Sequence, residues 1–415
     1  MILVQTFRAK QPKTILDKLN KESGRIYTLT MVSHWRAKRK KEIWLSQYDA
    51  MRLNDALSGS TILHAHSRDA AQEGFYKACK TAKALKQAGF IDARYPYHPK
   101  TFRSTTWKKQ GIRVKEDKLI LARARGLDPI VISLPEYLQG YDILEVRLVF
   151  DQKSCKYNWH ITYDDKLEML NTKGQTVVAV DLGEIHPAAV CTEKEAVVIS
   201  ARELRATIQG QNKAKAELSE KQDKLTKYSR YWKKLQRTKN KRAGRFKLKQ
   251  RDICHKVSRA IIDFAEAHDA GKIVIGDIRD VGDEVNKGKL CNQKIAQFPH
   301  GIIQHYTEYK AKRKGIKTKL KNEAYSSQTC PNCGQRNKAR GRVYKCKKCR
   351  WTGHRDGQVG VANILSLEVH GELGRVLIPE VKYRHPYLVG AMGKRSHADT
   401  MQVACSSELQ EAVGL

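Results

Sequence analysis

The chain has 415 residues, enough for two to four domains with cores of their own. Its 79 Lys and Arg against 43 Asp and Glu leave a formal net charge of +36, which attracts polyanions over a Debye length and makes nucleic acid the expected partner. No apolar run approaches the roughly 18 residues that a spanning helix needs, which argues against a membrane protein, and MILVQTFRAKQPK lacks the pattern of a secretory leader.

Residues 1–45 read as a strand, a turn and a helix. Residues 46–93 are helical, with apolar residues at three and four spacing and Gly89 near the end. From residue 94 to 172 the pattern alternates like antiparallel strands, so the first 170 residues or so are expected to form a β-barrel carrying a helical insert. Within this part Arg103, Trp107, Lys108 and Lys109 interleave cations with an aromatic ring. The run suits phosphates and unpaired bases, or else the two faces of a strand hairpin.

A second unit begins near Gln175. VVAVD is a buried strand ending in Asp181, and the turn after it carries Gly183, expected to leave space beside the carboxylate. A polar helix pair spans about 201–270. Its middle is dense in Lys and Arg and holds Tyr231, Trp232, Lys233, Lys234 and Arg237, a candidate phosphate track. GKIVIGDI is another buried strand, followed by a loop-like segment, a helix and the strand IKTKLKNEA. Strands separated by long helices argue for a mixed α/β sheet. Residues from about 390 carry no regular pattern and are expected to form a disordered tail.

Cys330, Cys333, Cys346 and Cys349 form two C-x-x-C knuckles twelve residues apart. Four thiolates make a closed tetrahedral Zn²⁺ site that staples a fold too small for its own core, with no position left open for water. The zinc is therefore expected to be structural. The other six cysteines are scattered and imply no disulfide framework. Asp181, Glu323 and Asp356 are three carboxylates at the ends of strands or the start of a helix. Hard oxygen ligands of this kind suit two Mg²⁺ ions about 4 Å apart that clamp a scissile phosphate, although each acid alone could equally be a cap or a surface charge.

In order along the chain, AVDLGEIHPA, IVIGDIRDV, NEAYSSQTCPNCG, YKCKKC and GHRDGQVGVANIL resemble the TnpB family of transposon-encoded RNA-guided nucleases, related to the compact type V CRISPR effectors. The resemblance is close over about 175–366 and looser before. It implies a wedge β-barrel at 1–45 and 94–172, with a helical recognition insert at 46–93. A RuvC-like, RNase H-like nuclease domain would follow at 173–325 and 353–389, and a zinc ribbon that binds target nucleic acid would interrupt it at 326–352. It also implies a guide RNA and target double-stranded DNA as partners, one chain with its RNA as the working unit, and a prokaryotic cytoplasmic location beside the nucleoid. In many members the second catalytic acid is a Glu on the strand matching IVIGDI, where this chain has Gly276. Asp277 is its neighbour, but a one-residue shift on a strand turns the side chain to the other face. Glu323 is therefore the expected second acid, with Asp277 in reserve. Gly276 also motivates an alternative, a nuclease-inactive RNA-guided DNA binder. A zinc-ribbon DNA-binding accessory protein without a guide is the reading from a different class.

Overall fold

The computed structural model describes residues 2–152, 154–166, 174–277, 288–338, 341–385 and 401–402. The chain divides into two compact units, residues 1–166 and 167–415. Both mix helices with sheets. No helix among the described residues is long and apolar enough to cross a membrane.

In the first unit β1 (Ile2–Arg8) leads into α1 (Lys13–Lys41), which starts directly after Pro12. α2 (Gln47–Leu57) is capped by Ser46, whose Oγ accepts the Asp49 N–H at 3.1 Å, and α3 (Ala65–Gln87) follows. α1 is the helix expected within residues 1–45, and with α2 and α3 it makes the helices span Lys13–Gln87. Tyr27, Met31 and Trp35 of α1 pack with Phe75, Tyr76 and Cys79 of α3, so of residues 1–45 only β1 joins a sheet.

The remaining strands are β2 (Thr105–Lys108), β3 (Ile112–Lys115), β4 (Lys118–Leu121), β5 (Ile130–Ser133), β6 (Asp142–Asp151) and β7 (Lys156–Asp164). They hydrogen-bond as two sheets, β1-β7-β6-β2 and β3-β4-β5, which share one core of Trp107, Leu119, Leu121, Ile132, Val146, Leu148 and Trp159. The expected barrel strands are thus present as two hydrogen-bonded ladders around one shared core.

That core corrects one sequence expectation. Trp107 is 1 % exposed, lies 5.8 Å from the Trp159 ring, and donates its Nε1–H to the Ala122 carbonyl at 2.7 Å. No base can reach it. Its neighbours are also engaged within the unit. Lys108 pairs with Glu73, Lys109 Nζ pairs with Asp142 at 2.7 Å, and the Arg103 guanidinium lies 5.3 Å from the Tyr27 ring centroid. Thr105, Thr106 and Trp107 are all buried, so β2 is covered on both faces.

The second unit is built on β8 (Thr176–Asp181), β9 (Ala188–Cys191), β10 (Glu195–Ile199), β11 (Ala270–Asp277), β12 (Lys317–Asn322), β15 (Glu380–Arg384) and the two-residue β16 (Met401–Gln402). Between β12 and β15 come the hairpin strands β13 (Val343–Lys345) and β14 (Thr352–His354). The main sheet runs β12-β11-β8-β9-β10-β15-β16. β8, β9 and β10 are an antiparallel meander, whereas β11 and β12 run parallel to β8. Apart from β16, the 390–415 segment lies outside the described residues.

Both faces of the sheet are covered, as an apolar run such as VVAV requires. Val178 and Val180 face a cluster with Leu204 and Ile208 of α4 (Arg202–Asp223), Val257 and Ile261 of α5 (Arg230–Ala267), and Ile303 of α7 (His300–Arg313). The short α6 (Lys289–Gln297) precedes α7. The alternate residues Ala179, Ala189, Ala196 and Val274 face α8 (Val361–Val369) through Val361, Ile364 and Leu365. Small side chains on this second face let α8 approach closely. β8, β11 and β12 all end at the same edge, beside the start of α8.

Candidate active site and metal centre

The register of the sheet decides which acids share a face. Val180 lies opposite Ile275, and Ile275 opposite Leu320. Asp181, Gly276 and Lys321 therefore align one step further on, and Glu323, two residues beyond Lys321, returns to the same face. Asp277 pairs with Asn322 and points to the opposite face. Glu323 sits in a turn that its neighbours fix. Asn322 Oδ1 accepts the Ala324 N–H at 2.8 Å, the Glu323 carbonyl accepts the Ser326 N–H at 2.9 Å, and Tyr325 takes a left-handed φ of 67°.

Gly276 is what makes room for this arrangement. A Cβ built there would overlap Glu323 Oε2 and stand 3.0 Å from Ile364 Cδ1. The Glu323 carboxylate thus fills the space that a side chain at 276 would otherwise take. On the other side a Cβ at Gly360 would stand 2.5 Å from Asp181 Oδ2. Gly360, not Gly183, gives the Asp181 carboxylate its space. A Cβ at Gly183 would stand 2.9 Å from the His186 carbonyl oxygen, so that glycine serves the turn.

Asp356 comes from a turn of π-helix over Arg355–Gly360 that runs into α8. His354 caps it: its Nδ1 accepts the Gly357 N–H at 2.8 Å, and its own N–H donates to Gln358 Oε1 at 2.9 Å. Asp356 Oδ1 receives Arg355 Nε at 3.3 Å, and Oδ2 pairs with Arg342 Nη1.

The electrostatics bind the three acids together. Burial, then the nearby charges of Glu323 and Asp356, hold the Asp181 carboxyl well above the usual carboxylate range. Burial, with Asp277 adding repulsion, pushes Glu323 up to about 7. Glu323 Oε2 is buried and has no hydrogen-bond partner among the described residues. A buried acid without a donor is costly unless a cation satisfies it. An orphaned carboxylate oxygen beside a second buried acid therefore fits a divalent cation with hard oxygen ligands.

Among the described residues, two sets of potential ligand atoms lie within 4.8 Å of one another: the four knuckle cysteines, and His186 with His354 and Asp356. Glu323 and Asp356 both lie within electrostatic range of Asp181, but the three predicted acids do not form so tight a set. The histidines were not singled out from the sequence. His354 Nδ1 already accepts a backbone N–H, so the neutral ring carries its proton on Nε2 and acts there as a donor, not a ligand. Burial holds His186 down at about 4, against the pull of Asp356. Their only sequence signal is proximity, in EIHPA and GHRD, to the acids.

The cysteine centre fits zinc. Cys330 Sγ lies 3.7 Å from Cys349 Sγ, and Cys333 Sγ 3.6 Å from Cys346 Sγ, close to the edge of a tetrahedron with Zn–S bonds of about 2.3 Å. A hydrogen bond from the Trp351 backbone, helped by Asn332, holds the Cys349 thiol down at about 6, favouring the thiolate. β13 and β14 pair antiparallel beside the cysteines, and Tyr344, fully buried, donates its OH to the Gln328 carbonyl at 3.1 Å. Asn363, another residue missed in sequence, anchors this module. It is buried on α8, and its Nδ2 donates to the Ser326 and Thr329 carbonyls at 2.7 and 2.8 Å. A lone polar residue inside the apolar VGVANIL was the signal available.

On the helix pair, Tyr231 is 56 % exposed and Lys233, Lys234 and Arg237 are exposed, while Trp232 is half-buried against Tyr228, ring centroids 5.3 Å apart.

Residues 300–364 match the family model described as the Cas12f1-like TNB domain, and residues 160–282 match one described as a probable transposase. A TnpB-like protein of Methanocaldococcus jannaschii is 28% identical over 193 residues, 46% of this chain and 68% of that protein. A CRISPR-associated endodeoxyribonuclease, Cas12f1, of Sulfoacidibacillus thermotolerans is 22% identical over 267 residues, 60% of this chain and 59% of that protein. Among solved structures, a Cas12f1–sgRNA–target DNA complex aligns with a TM-score of 0.56 at 14% identity over 81% of this chain and 80% of the other. CasPhi-2 (Cas12j) bound to crRNA aligns with 0.53 at 11% identity over 91% and 99%. The structures share the mixed α/β multidomain fold. The ordered motifs, the two matching family models and the matching TnpB-like relative agree, and together they support a TnpB family protein.

Proposed function

We propose that this protein is an RNA-guided endonuclease that cuts double-stranded DNA beside a short adjacent motif by Mg²⁺-dependent hydrolysis. One observation carries the reading: Asp181 and Glu323 reach one face of the sheet edge from separate strands, and Glu323 Oε2 has no hydrogen-bond partner among the described residues. The strand order β10-β9-β8-β11-β12, an antiparallel meander followed by parallel strands, is that expected of an RNase H-like nuclease of the RuvC kind. The names of the relatives, an endodeoxyribonuclease among them, and of structures holding guide RNA and target DNA support the same class.

Asp181, Glu323 and Asp356 would hold Mg²⁺, which when bound supplies an activated water and charge neutralisation at a scissile phosphate. The chain supplies the setting. Burial keeps the carboxylates desolvated, Gly276 and Gly360 leave them room, and the His354 cap fixes the turn that carries Asp356. The four cysteines would hold a structural Zn²⁺. Tyr231, Lys233, Lys234 and Arg237 would contact nucleic acid along the helix pair, with steep salt dependence as the consequence. The first unit would hold the guide–target duplex and read the adjacent motif. The inactive-binder alternative loses its motive, because Glu323 occupies the place left by Gly276.

Gly276→Ala is expected to displace the Glu323 carboxylate and to lower the cleavage rate at least about tenfold while RNA retention stays unchanged, a cost typical of misplacing a reacting group. Single-turnover rates would show it. The proposal as a whole is tested by sequencing the RNA that co-purifies with the chain and offering Mg²⁺ and a matching duplex with a randomised flank. Cutting of both strands is expected. Absence of bound RNA, or an intact duplex, would overturn it.

A further inference from the structure

Arg342 takes no part in the chemistry above, yet it is the side chain held most tightly against Asp356. Its Nη1 pairs with Oδ2 while Arg355 Nε takes Oδ1 at 3.3 Å, so both oxygens of the carboxylate face a guanidinium. The two arginines differ in their attachment. Arg355 is the immediate neighbour of Asp356 in the same turn. Arg342 reaches in from the cysteine-stapled hairpin: its carbonyl accepts the Arg355 N–H at 2.8 Å, and the next residue, Val343, pairs with His354. Its side chain remains one-third exposed (33 %), against 16 % for Asp356.

A divalent cation needs an Asp356 oxygen that Arg342 now occupies, and two like-charged cations cannot share it. A guanidinium, however, matches phosphate as well as it matches carboxylate, through paired N–H donors. Resting on the Mg²⁺–carboxylate reading above, we propose that Arg342 is a latch. In the chain without nucleic acid it stands in for the cation at Asp356 and keeps metal affinity low. A substrate phosphate then competes for its guanidinium and frees the carboxylate, so that metal loading follows substrate arrival.

The test is Mn²⁺ titration of the full zinc-loaded chain, free of nucleic acid, followed by the electron paramagnetic resonance signal of free Mn²⁺. If the latched state occupies roughly nine-tenths of molecules, Arg342→Gln is expected to bind Mn²⁺ about tenfold more tightly than wild type. Arg342→Lys, which keeps an ion pair, stays near the wild-type value. Arg342→Met substitutes for the glutamine variant if that one loses zinc. Equal or weaker Mn²⁺ binding in zinc-replete Arg342→Gln or Arg342→Met overturns the latch alone, provided that Asp181→Asn and Glu323→Gln weaken binding. If those two leave Mn²⁺ binding unchanged, the carboxylate metal site itself fails and the latch with it.

Discussion

Asp181→Asn is expected to lower Mg²⁺-dependent DNA cleavage by at least about 10³-fold, and at the same time to raise the melting temperature of the protein without added Mg²⁺. The first effect follows from removing a central carboxylate from a site that contributes several kcal/mol to the transition state. The second follows from burial. Asp181 and Glu323 both have raised native pKa values, through desolvation and then repulsion from neighbouring acids, Glu323 and Asp356 for Asp181 and Asp277 for Glu323. An acid with a raised native pKa binds more protons folded than unfolded, so folding stability falls as pH rises between the unfolded and the native value. For Glu323, with a native value of about 7, the cost is absent below about pH 4, grows across pH 4–7 and is complete by about pH 8, where it is on the order of 3 kcal/mol. Neutral amides at these positions remove it. Asp181→Asn and Glu323→Gln should therefore stabilise the Mg²⁺-free protein at pH 8 and barely affect it at pH 4. Calorimetry with zinc retained reads the difference; a variant less stable than wild type at pH 8 would contradict it.

Cys346→Ser is expected to reduce zinc from one per chain to nearly none and to open residues 326–352 to protease. Structural zinc contributes about 10–16 kcal/mol to folding in small ribbons, and this module has little else. Its own cluster of buried residues is Cys330, Tyr344, Cys346 and Val359, and two of these are proposed zinc ligands. The loss would spread to the active edge, because Arg342 and His354 belong to the same hairpin and Asn363 of α8 is satisfied by carbonyls at its base. Elemental analysis and limited trypsin digestion, with Cys155→Ser at an exposed position as control, measure both effects.

What was legible in the sequence was what a short window encodes. The C-x-x-C pairs specify their own geometry, and Asp181 was visible because it ends an apolar strand. Glu323 was harder. It required seeing that Gly276 lacks a side chain and that Asp277 sits one step out of register, and in the sheet Gly276 pairs with Lys321 and Asp277 with Asn322. Trp107 misled because interleaved aromatic and basic residues describe equally a nucleic-acid surface and a strand packed into the core. Gly183 and Gly360 were indistinguishable as letters; only the packing of α8 against the sheet shows which one borders a carboxylate. Arg342, His186 and His354 carry no motif. His354 lies two residues before Asp356, whereas Arg342 reaches it across the β13–β14 hairpin and His186 from the turn after β8, placements that only the fold shows.

The central claim is that this chain cuts DNA with Glu323 standing in for the acid missing at Gly276. The most direct measurement is Mg²⁺-dependent cleavage of a guide-matched duplex by Glu323→Gln and by Asp277→Asn, each carrying its co-purified RNA. The account predicts that Glu323→Gln binds the duplex and leaves it intact, while Asp277→Asn cuts at close to the wild-type rate. Cutting by Glu323→Gln, with cleavage lost in Asp277→Asn, would contradict it.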